Sequence, residues 1–304
     1  MFFFSEEERR LILRRLLPQA RKQGVAEELR GWRWDQPPLS PIYDVSLAVY
    51  EVASQYCPTG RDVYLRRIQK VRVPPSPPML EGSFLHGLVT GLITAAKRLI
   101  YQHGADCLPH LRALSREPFL TFDRRDLPPE GVEDLLHKAA ILWEYEHPRI
   151  VARVQDALTR QPYIGADALA ALALPVTVEH RLNGAFLGLS PYLSVDACNL
   201  AETMVLDLKF GPRQKFHRLS TTGYALVMES LYETPVNLGC IVYLTFKGDR
   251  LLVERDFHLL DDELRQWFVE ERDQRQRMLF EELDPGLPPE CPRGCPFLRV
   301  CHPS

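Results

Sequence analysis

The chain of 304 residues is 45% apolar and 25% charged, which is ordinary for a folded globular protein with a full hydrophobic core. Its formal net charge is −3, so no overall basic field points to nucleic acid, and a surface for that partner must be local. No apolar run approaches the roughly 20 residues of a membrane helix, and the opening MFFF is too short for a signal-peptide core. We therefore expect a cytoplasmic protein without a membrane partner.

Helical periodicity dominates the first 174 residues. Ser5 and Glu8 form a capping-box pattern, which predicts an amphipathic helix over 5–29. Its apolar face would comprise Leu11, Ile12, Leu13, Leu16 and Leu17. Further helices are predicted over 46–56, 61–70, 83–104 and 131–160, the last interrupted at Pro148. The Trp- and Pro-rich stretch 31–41 and the sequence VPPSPP at 73–78 are predicted to be connectors.

From residue 175 the pattern changes to alternating or continuous apolar runs between turn signals. Strands are predicted at VTVEHRL, AFLGLS, YLSVDA and TMVLDLKFG, with Asn183–Gly184 as a tight hairpin turn. A helix over 214–231, two strands around KGDR and a charged helix over 261–282 follow. This order predicts an α/β fold in which helices flank a mixed central sheet.

Two carboxylates and a lysine concentrate in the segment VDACNLAETMVLDLKFG. Asp207 and Lys209 lie two residues apart on one predicted strand and so share a face, while Leu208 packs into the core. If the strands are neighbours, Asp196 can join that face, and such a hard-oxygen site suits Mg²⁺ or Mn²⁺ acting on a phosphodiester. The alternative is a solvated Asp–Lys pair on the surface, which the apolar neighbours in VLDLK disfavour.

The seven cysteines are an odd number, which argues against a complete disulfide framework. Cys107, Cys198 and Cys240 lie in or beside apolar stretches and are predicted to be small buried hydrophobes. The other four stand beside proline or in turn-rich segments, a setting that recurs around iron–sulfur clusters. They are Cys57, Cys291, Cys295 and Cys301.

A set of motifs in a fixed order resembles the RecB-like branch of the PD-(D/E)xK nucleases. The motifs are Gly82 and His86 in GSFLHG, Asp196 at a strand end, Asp207 with Lys209 on the next strand, and Tyr224 on the following helix. One early and three late cysteines are similar to the iron–sulfur members of that branch, which include CRISPR-associated exonucleases of adaptation modules and AddB-type helicase–nucleases. The stretches RGWRWD and YCPTGRDVYLRR look most like the archaeal type I-A variant.

The resemblance implies a role for each matching residue. His86, Asp196, Asp207 and the Leu208 carbonyl would bind Mn²⁺ or Mg²⁺, Lys209 would position the attacking water, and Tyr224 would support the site or the DNA. Cys57, Cys291, Cys295 and Cys301 would hold a [4Fe–4S] cluster. The chain departs from the family pattern at Ser220, where the family has glutamine, and in its C-x3-C-x5-C spacing, which leaves zinc open as the bound metal.

The resemblance also implies an organisation and a function. The expected segments are an N-terminal helical segment with the first cluster cysteine (1–75), a helical region with the motif histidine (76–174), a nuclease core (175–284) and a cysteine tail (285–304). The cluster would join the first segment to the tail. The implied function is a DNA exonuclease that processes single-stranded or frayed ends before CRISPR integration, alongside the integrase proteins, with a homo-oligomer possible.

Two further hypotheses stay open from the sequence. The first is a non-catalytic subunit that binds DNA or partners, which the intact Asp196, Asp207 and Lys209 disfavour, and the second is a zinc-stapled nuclease. A basic run follows Cys57 and is either a solvated helix face or a patch for the DNA backbone. It consists of Arg61, Arg66, Arg67, Lys70 and Arg72. The excess of arginine (30 against 7 lysines), 25 prolines and 3 asparagines fit a thermophile, although GC-rich DNA also yields an arginine excess.

Overall fold

A five-stranded sheet forms the centre of the molecule in the computed structural model, which describes residues 1–122, 127–199, 203–291 and 294–302. The strands are β1 (Thr177–Leu182), β2 (Leu193–Asn199), β3 (Met204–Phe210), β4 (Leu238–Lys247) and β5 (Arg250–Leu259). They lie side by side in chain order. Only the β3–β4 pair is parallel, and the other three pairs are antiparallel. The predicted mixed α/β class is confirmed.

Helices cover both faces of this sheet. They are α1 (Glu6–Leu11), α2 (Leu17–Gln23), α3 (Val49–Ala53), α4 (Arg61–Arg67), α5 (Pro77–His103), α6 (Cys107–Arg112), α7 (Pro129–Arg160), α8 (Ala166–Ala173), α9 (Arg218–Tyr232), α10 (Asp262–Phe280) and α11 (Leu298–Cys301). The even-numbered side chains of β3, such as Leu206, join α2, α5, α6, α7 and α8 in one core. The odd-numbered Val205 joins α3, α4, α9, α10 and the tail in a second core. The alternation of side chains along the strand thus separates two apolar layers.

The long helices of the first layer differ from expectation in two respects. α7 continues through Pro148, because Leu142 before the proline and Ile150 and Val154 after it pack into the same core. This tertiary burial offsets the missing backbone hydrogen bond. The stretch Pro77–Arg112 is long and apolar enough to span a membrane by length and composition, contrary to the sequence expectation, and 44% of its most apolar window is buried inside the molecule. A single helix of this kind is weak evidence for a membrane span.

The N-terminal residues are part of the first core. Met1, Phe2, Phe3 and Phe4 are buried, and the terminal ammonium pairs with Glu146 on α7. The predicted helix begins at its capping box on Ser5 and runs through a π-helical turn, Ile12–Leu16, into α2. Ile12 and Leu17 are buried as predicted, but Leu11 and Leu13 are exposed, because the π-turn rotates them away from the core.

The predicted Asn183–Gly184 hairpin is wrong. A short 3₁₀ turn, Ala185–Leu187, follows it, and β2 starts only at Leu193. The expected strand AFLGLS is therefore absent from the described residues at this position. Gly188 takes a left-handed φ of 66°, and Leu189 instead bridges Leu47 in the N-terminal segment.

The second layer is fastened by arginines on α10. Arg265 and Arg272 are fully buried and donate to backbone carbonyls of the N-terminal segment: Arg265 to Leu29, and Arg272 to Pro38 and Leu39. Their partners are more than 200 residues away in the chain. α10 therefore holds the irregular first sixty residues against the sheet, where α9, the crossover between the parallel strands β3 and β4, also packs.

Candidate active site

The site begins where β2 and β3 diverge. Their pairing runs from Asn199↔Met204 to Ala197↔Leu206 and then stops. Asp196 is the next residue on β2, and its Oδ2 accepts a hydrogen bond of 2.8 Å from the Leu208 backbone N–H. A side chain thus replaces the lost ladder bond. The predicted neighbourhood of Asp196 and β3 is confirmed, and the carboxylate is fixed in one orientation.

Asp207 and Lys209 face the second layer from β3. Asp207 is almost fully buried, and its Oδ2 lies 2.8 Å from Lys209 Nζ. Burial raises the pKa of Asp207 to about 6, Lys209 opposes that rise, and Asp196 adds to it. Burial disfavours the charge on Lys209, but Asp207 and Asp196 outweigh it and raise the pKa of the ammonium. The two carboxylates and the lysine therefore form one electrostatic unit.

His86 reaches this unit from α5. Its Nε2 lies 3.6 Å from Asp196 Oδ1 and 3.4 Å from Glu179 Oε1. Glu179 stands on β1 and is held by a 2.7 Å hydrogen bond from the Ser194 hydroxyl. It also has a positive φ of 49°, a strain of about 1–3 kcal/mol for a residue with a side chain, of the kind that collects at functional sites. Sequence reasoning missed Glu179, because only its strained backbone and its neighbours distinguish it.

Tyr224 lies on α9 on the same side of the sheet. Burial raises the pKa of its phenol, and Asp207, Asp196 and Glu179 raise it further, which places the hydroxyl in their field. Ser220, one turn earlier, is buried. The structure thus brings His86, Asp196, Asp207, Lys209 and Tyr224 to one place. Leu208 joins them through its backbone.

The site has the donors that a divalent cation takes. His86 Nε2 and Asp207 Oδ2 are buried polar atoms without a directed hydrogen bond, apart from the ion-pair contacts of His86 with Glu179 and Asp196 and of Asp207 with Lys209. Carboxylate oxygens with one imidazole are ligands for Mn²⁺ or Mg²⁺. Among the described residues, no three His, Cys, Asp or Glu side chains already have the spacing to hold a metal ion. The donor set therefore fits a cation chemically, and the side chains have still to close around it.

The cysteine tail docks on the loop of Cys57. Arg61 forms a two-pronged ion pair with Asp284, the shortest contact being 2.8 Å, and the Thr59 hydroxyl donates to the Gly286 carbonyl at 3.0 Å. Gly60 takes a φ of 71° and lies so close to Arg275 that a Cβ would stand 2.5 Å from its guanidinium. The positive φ and this close approach favour glycine at position 60, which sets the Cys57 loop directly against α10.

The four predicted cluster cysteines lie in this loop and tail. Burial raises the pKa of the Cys295 thiol, and its neighbours Cys57 and Cys301 raise it further. Cys291 instead has His302 Nε2 at 3.4 Å from its sulfur. The thiols are half-buried and form no disulfide. Cys57, Cys295 and Cys301 therefore share a neighbourhood from opposite ends of the chain, although in the part of the chain that the structure describes their sulfurs do not have the spacing to hold a metal ion.

The remaining cysteines behave as predicted. Cys107, Cys198 and Cys240 are fully buried among apolar side chains, and burial raises the pKa of each thiol. The arginines of the basic run form more ion pairs within the protein than expected. Arg61 is paired with Asp284, Arg66 with Asp62 and Arg67 with the buried Glu51. Those three arginines are bound within the protein, whereas Lys70 and Arg72 form no ion pair with the residues that the structure describes.

A second unpredicted group lies beside Lys209. His217 is buried at the start of α9, with Nε2 2.9 Å from the Tyr56 hydroxyl and Nδ1 3.1 Å from that of Tyr243. Tyr243 on β4 is the register partner of Lys209 on β3. Three distant segments converge here, so no local sequence signal marks the group.

These features define an α/β protein with a mixed five-stranded sheet, an Asp–Asp–Lys site at a strand fork and a cysteine-rich tail. A family model described as CRISPR-associated exonuclease Csa1 matches residues 1–304, and the chain belongs to this family. The resemblance to CRISPR-associated exonucleases is thereby confirmed.

Two curated relatives carry the same description. The protein of Thermoproteus tenax is 33% identical over 297 residues, covering 96% of this chain and 98% of the relative. That of Saccharolobus solfataricus is 31% identical over 304 residues, covering 99% and 100%. No solved structure matches.

Proposed function

We propose that this protein is a metal-dependent DNA exonuclease that processes DNA ends for CRISPR adaptation in the cytoplasm, alongside integrase proteins. The observation that carries the proposal is the convergence of the His86 imidazole and the Asp196 and Asp207 carboxylates beside the Lys209 ammonium. Converging buried carboxylates, one of them with a raised pKa, are the expected state of an acidic centre without its cation. The relatives' description as exonucleases supports the reaction class.

The residues of the site would have separate roles in metal binding and in catalysis. Asp196, Asp207, His86 and the Leu208 carbonyl would hold Mn²⁺ or Mg²⁺, which supplies Lewis acidity toward the phosphodiester. The Leu208 N–H keeps Asp196 oriented. Lys209 remains protonated beside Asp207, so its ammonium can orient the attacking water and stabilise charge that develops on the phosphate. Tyr224 would support the site from α9.

The test uses metal and one variant. Cleavage of single-stranded or frayed DNA should require Mg²⁺ or Mn²⁺, run faster in Mn²⁺ because of the imidazole ligand, and vanish in chelator. Lys209→Ala should slow cleavage by roughly 10²–10³-fold while DNA affinity stays nearly unchanged, because the lysine acts mainly on the transition state. The exposed Lys247→Ala is the matched control. Equal loss of binding and rate in Lys209→Ala would contradict the catalytic role, and wild type that cuts no DNA, even with integrase partners, would favour a non-catalytic subunit.

We infer further that Cys57, Cys291, Cys295 and Cys301 hold a [4Fe–4S] cluster that joins the N-terminal segment to the tail. The contacts of Arg61 with Asp284 and of Thr59 with Gly286 support this, since they bring the two cysteine segments together without a metal.

Protein purified without oxygen should be brown, with iron and sulfide in equal amounts. Cys291→Ala should bleach it, whereas the buried Cys107→Ala should leave the spectrum unchanged. Colourless protein with stoichiometric zinc would replace the iron assignment with the zinc-stapled nuclease.

A further inference from the structure

Tyr56 has an unusual position for an exposed aromatic residue. It directly precedes Cys57, and its side chain is 56% exposed. Its ring stands edge-on to Phe216, with the centroids 5.0 Å apart and the planes at 83°. The edge of the ring is thus fixed by packing, while much of the ring surface faces outward.

The hydroxyl of Tyr56 is held by a relay of hydrogen bonds that runs through His217 and Tyr243 to the Gln214 carbonyl. Burial, with a smaller contribution from Lys209, lowers the pKa of His217 to about 4, so the imidazole is neutral at physiological pH. The Tyr243 hydroxyl donates to the Gln214 carbonyl at 3.4 Å and can therefore accept from His217 Nδ1. His217 Nε2 is then the acceptor, and the Tyr56 hydroxyl donates to it. Because the phenol proton is donated to His217, the ring face is the part of the Tyr56 side chain that remains available to a ligand.

The relay also sets the ring relative to the candidate active site. Tyr243 lies directly beside Lys209 across the parallel β3–β4 pair, on the same face of the sheet. The charges agree with this placement, because Lys209 and Asp207 both act on the Tyr56 phenol. A rigid aromatic surface therefore stands at the edge of the Asp–Asp–Lys site, supported from the strand next to Lys209.

We propose that Tyr56 is the stacking platform for the base of the terminal, unpaired nucleotide of a DNA strand whose backbone enters the site at Lys209. The proposal rests on the proposed nuclease function and specifies its substrate as an end with an unstacked base. An aromatic ring is suited to this because every base has a π-face, so stacking tolerates any sequence. Since Tyr56 adjoins Cys57, the docked cysteine tail also holds the loop that carries the platform.

The experiment measures binding in chelator, where no cleavage occurs, and cleavage separately in Mn²⁺. The probes are single-stranded oligonucleotides with 2-aminopurine at the 5′ or the 3′ terminal position, and matched oligonucleotides whose terminal residue is abasic. Tyr56→Leu should weaken binding of the base-bearing end by about 5- to 150-fold and reduce the quenching of 2-aminopurine. Its effect on the abasic end should be much smaller. Tyr56→Phe keeps the ring and should retain the quenching.

Tyr101→Leu is the control, since Tyr101 is 57% exposed but lies near the end of α5. Equal weakening of base-bearing and abasic ends by Tyr56→Leu would overturn the platform and leave Tyr56 a structural residue, as would unchanged binding of both. Thermal unfolding of each variant shows whether the fold is kept. Wild type that binds DNA with quenching dependent on Tyr56 but cuts nothing in Mn²⁺ would support the platform and overturn the nuclease function alone.

Discussion

Two buried acid–base pairs in this protein differ in how completely their oxygens are satisfied. Glu229 on α9 accepts from Arg265 Nη1 and Nη2 at 2.7 and 3.0 Å, from Arg30 at 2.8 Å, and from the backbone N–H groups of Gly31 and Val236. Asp207 on β3 has the Lys209 ammonium 2.8 Å from its Oδ2, and this oxygen has no directed hydrogen bond besides that ion pair.

The difference distinguishes a structural ion-pair network, that of Glu229, from a candidate catalytic pair, that of Asp207 and Lys209. Buried charges are tolerated when every lone pair has a partner, and the Glu229 network meets that condition while tying α10 to the N-terminal segment. Asp207 does not meet it and bears a raised pKa instead. A buried ion pair by itself thus says little about function. A buried carboxylate with a single charged partner and a raised pKa is of the kind found at functional sites, which supports the role proposed for Asp207.

Removing the charge of Asp207 should have the largest effect on activity. Asp207→Asn should lower the rate of metal-dependent cleavage by at least about 10²–10³-fold, because a neutral amide no longer holds a cation. The melting temperature and the iron content should be kept, since the carboxylate is poorly satisfied already. Asp249→Asn, in the exposed β4–β5 turn, is the control and should behave as wild type. Loss of fold and cluster together in Asp207→Asn would make the residue structural.

The reverse outcome is expected at Glu229. Glu229→Gln leaves Arg265 and Arg30 buried without a counter-charge, so the free energy of unfolding should fall by about 3–5 kcal/mol. Urea unfolding monitored by circular dichroism measures this. Glu270→Gln on the exposed side of α10 should change stability by less than about 0.5 kcal/mol. If Glu229→Gln were as stable as wild type, the comparison between the two pairs would fail.

The pH dependence of stability should show a smaller difference. The folded-state pKa of Asp207, about 6, lies above the usual value of 3.8 for an aspartate side chain, so between these values the folded state holds a proton that the unfolded state has released. In chelator, wild type should therefore lose stability relative to Asp207→Asn as pH rises from about 4 to 6, by an amount on the order of 2 kcal/mol. Urea titrations of both proteins across this range measure it. A constant difference would show that Asp207 is not the titrating group.

Much of the fold followed from the sequence because its signals are local. The apolar pattern around Asp207 predicted β3 and the packing of Leu208 into the core, and the capping box at Ser5 predicted the first helix start. The errors arose where tertiary packing prevailed. Pro148 does not end α7, because both halves of the helix share one core. The expected strand after Gly184 is replaced by a turn, because Leu189 pairs with the distant Leu47.

The candidate site divides in the same way. Asp196, Asp207 and Lys209 lie on predicted strands, and the period of a strand already placed the last two on one face. Glu179, Tyr56 and His217 could not be found from the sequence, because each owes its place to another segment. Glu179 is distinguished by its φ and by His86, and Tyr56 by a histidine 161 residues further along the chain.

The arginines of α10 have a consequence for the order in which the chain can fold. Arg265 and Arg272 bind carbonyls at Leu29 and Leu39, which lie 236 and 233 residues earlier. During synthesis, the segment around these carbonyls leaves the ribosome long before α10 exists. Such remote contacts raise the contact order and slow folding, because loop closure must precede the gain from each contact. The nascent N-terminal segment therefore lacks these contacts, and stays accessible to proteases, until α10 has been synthesised.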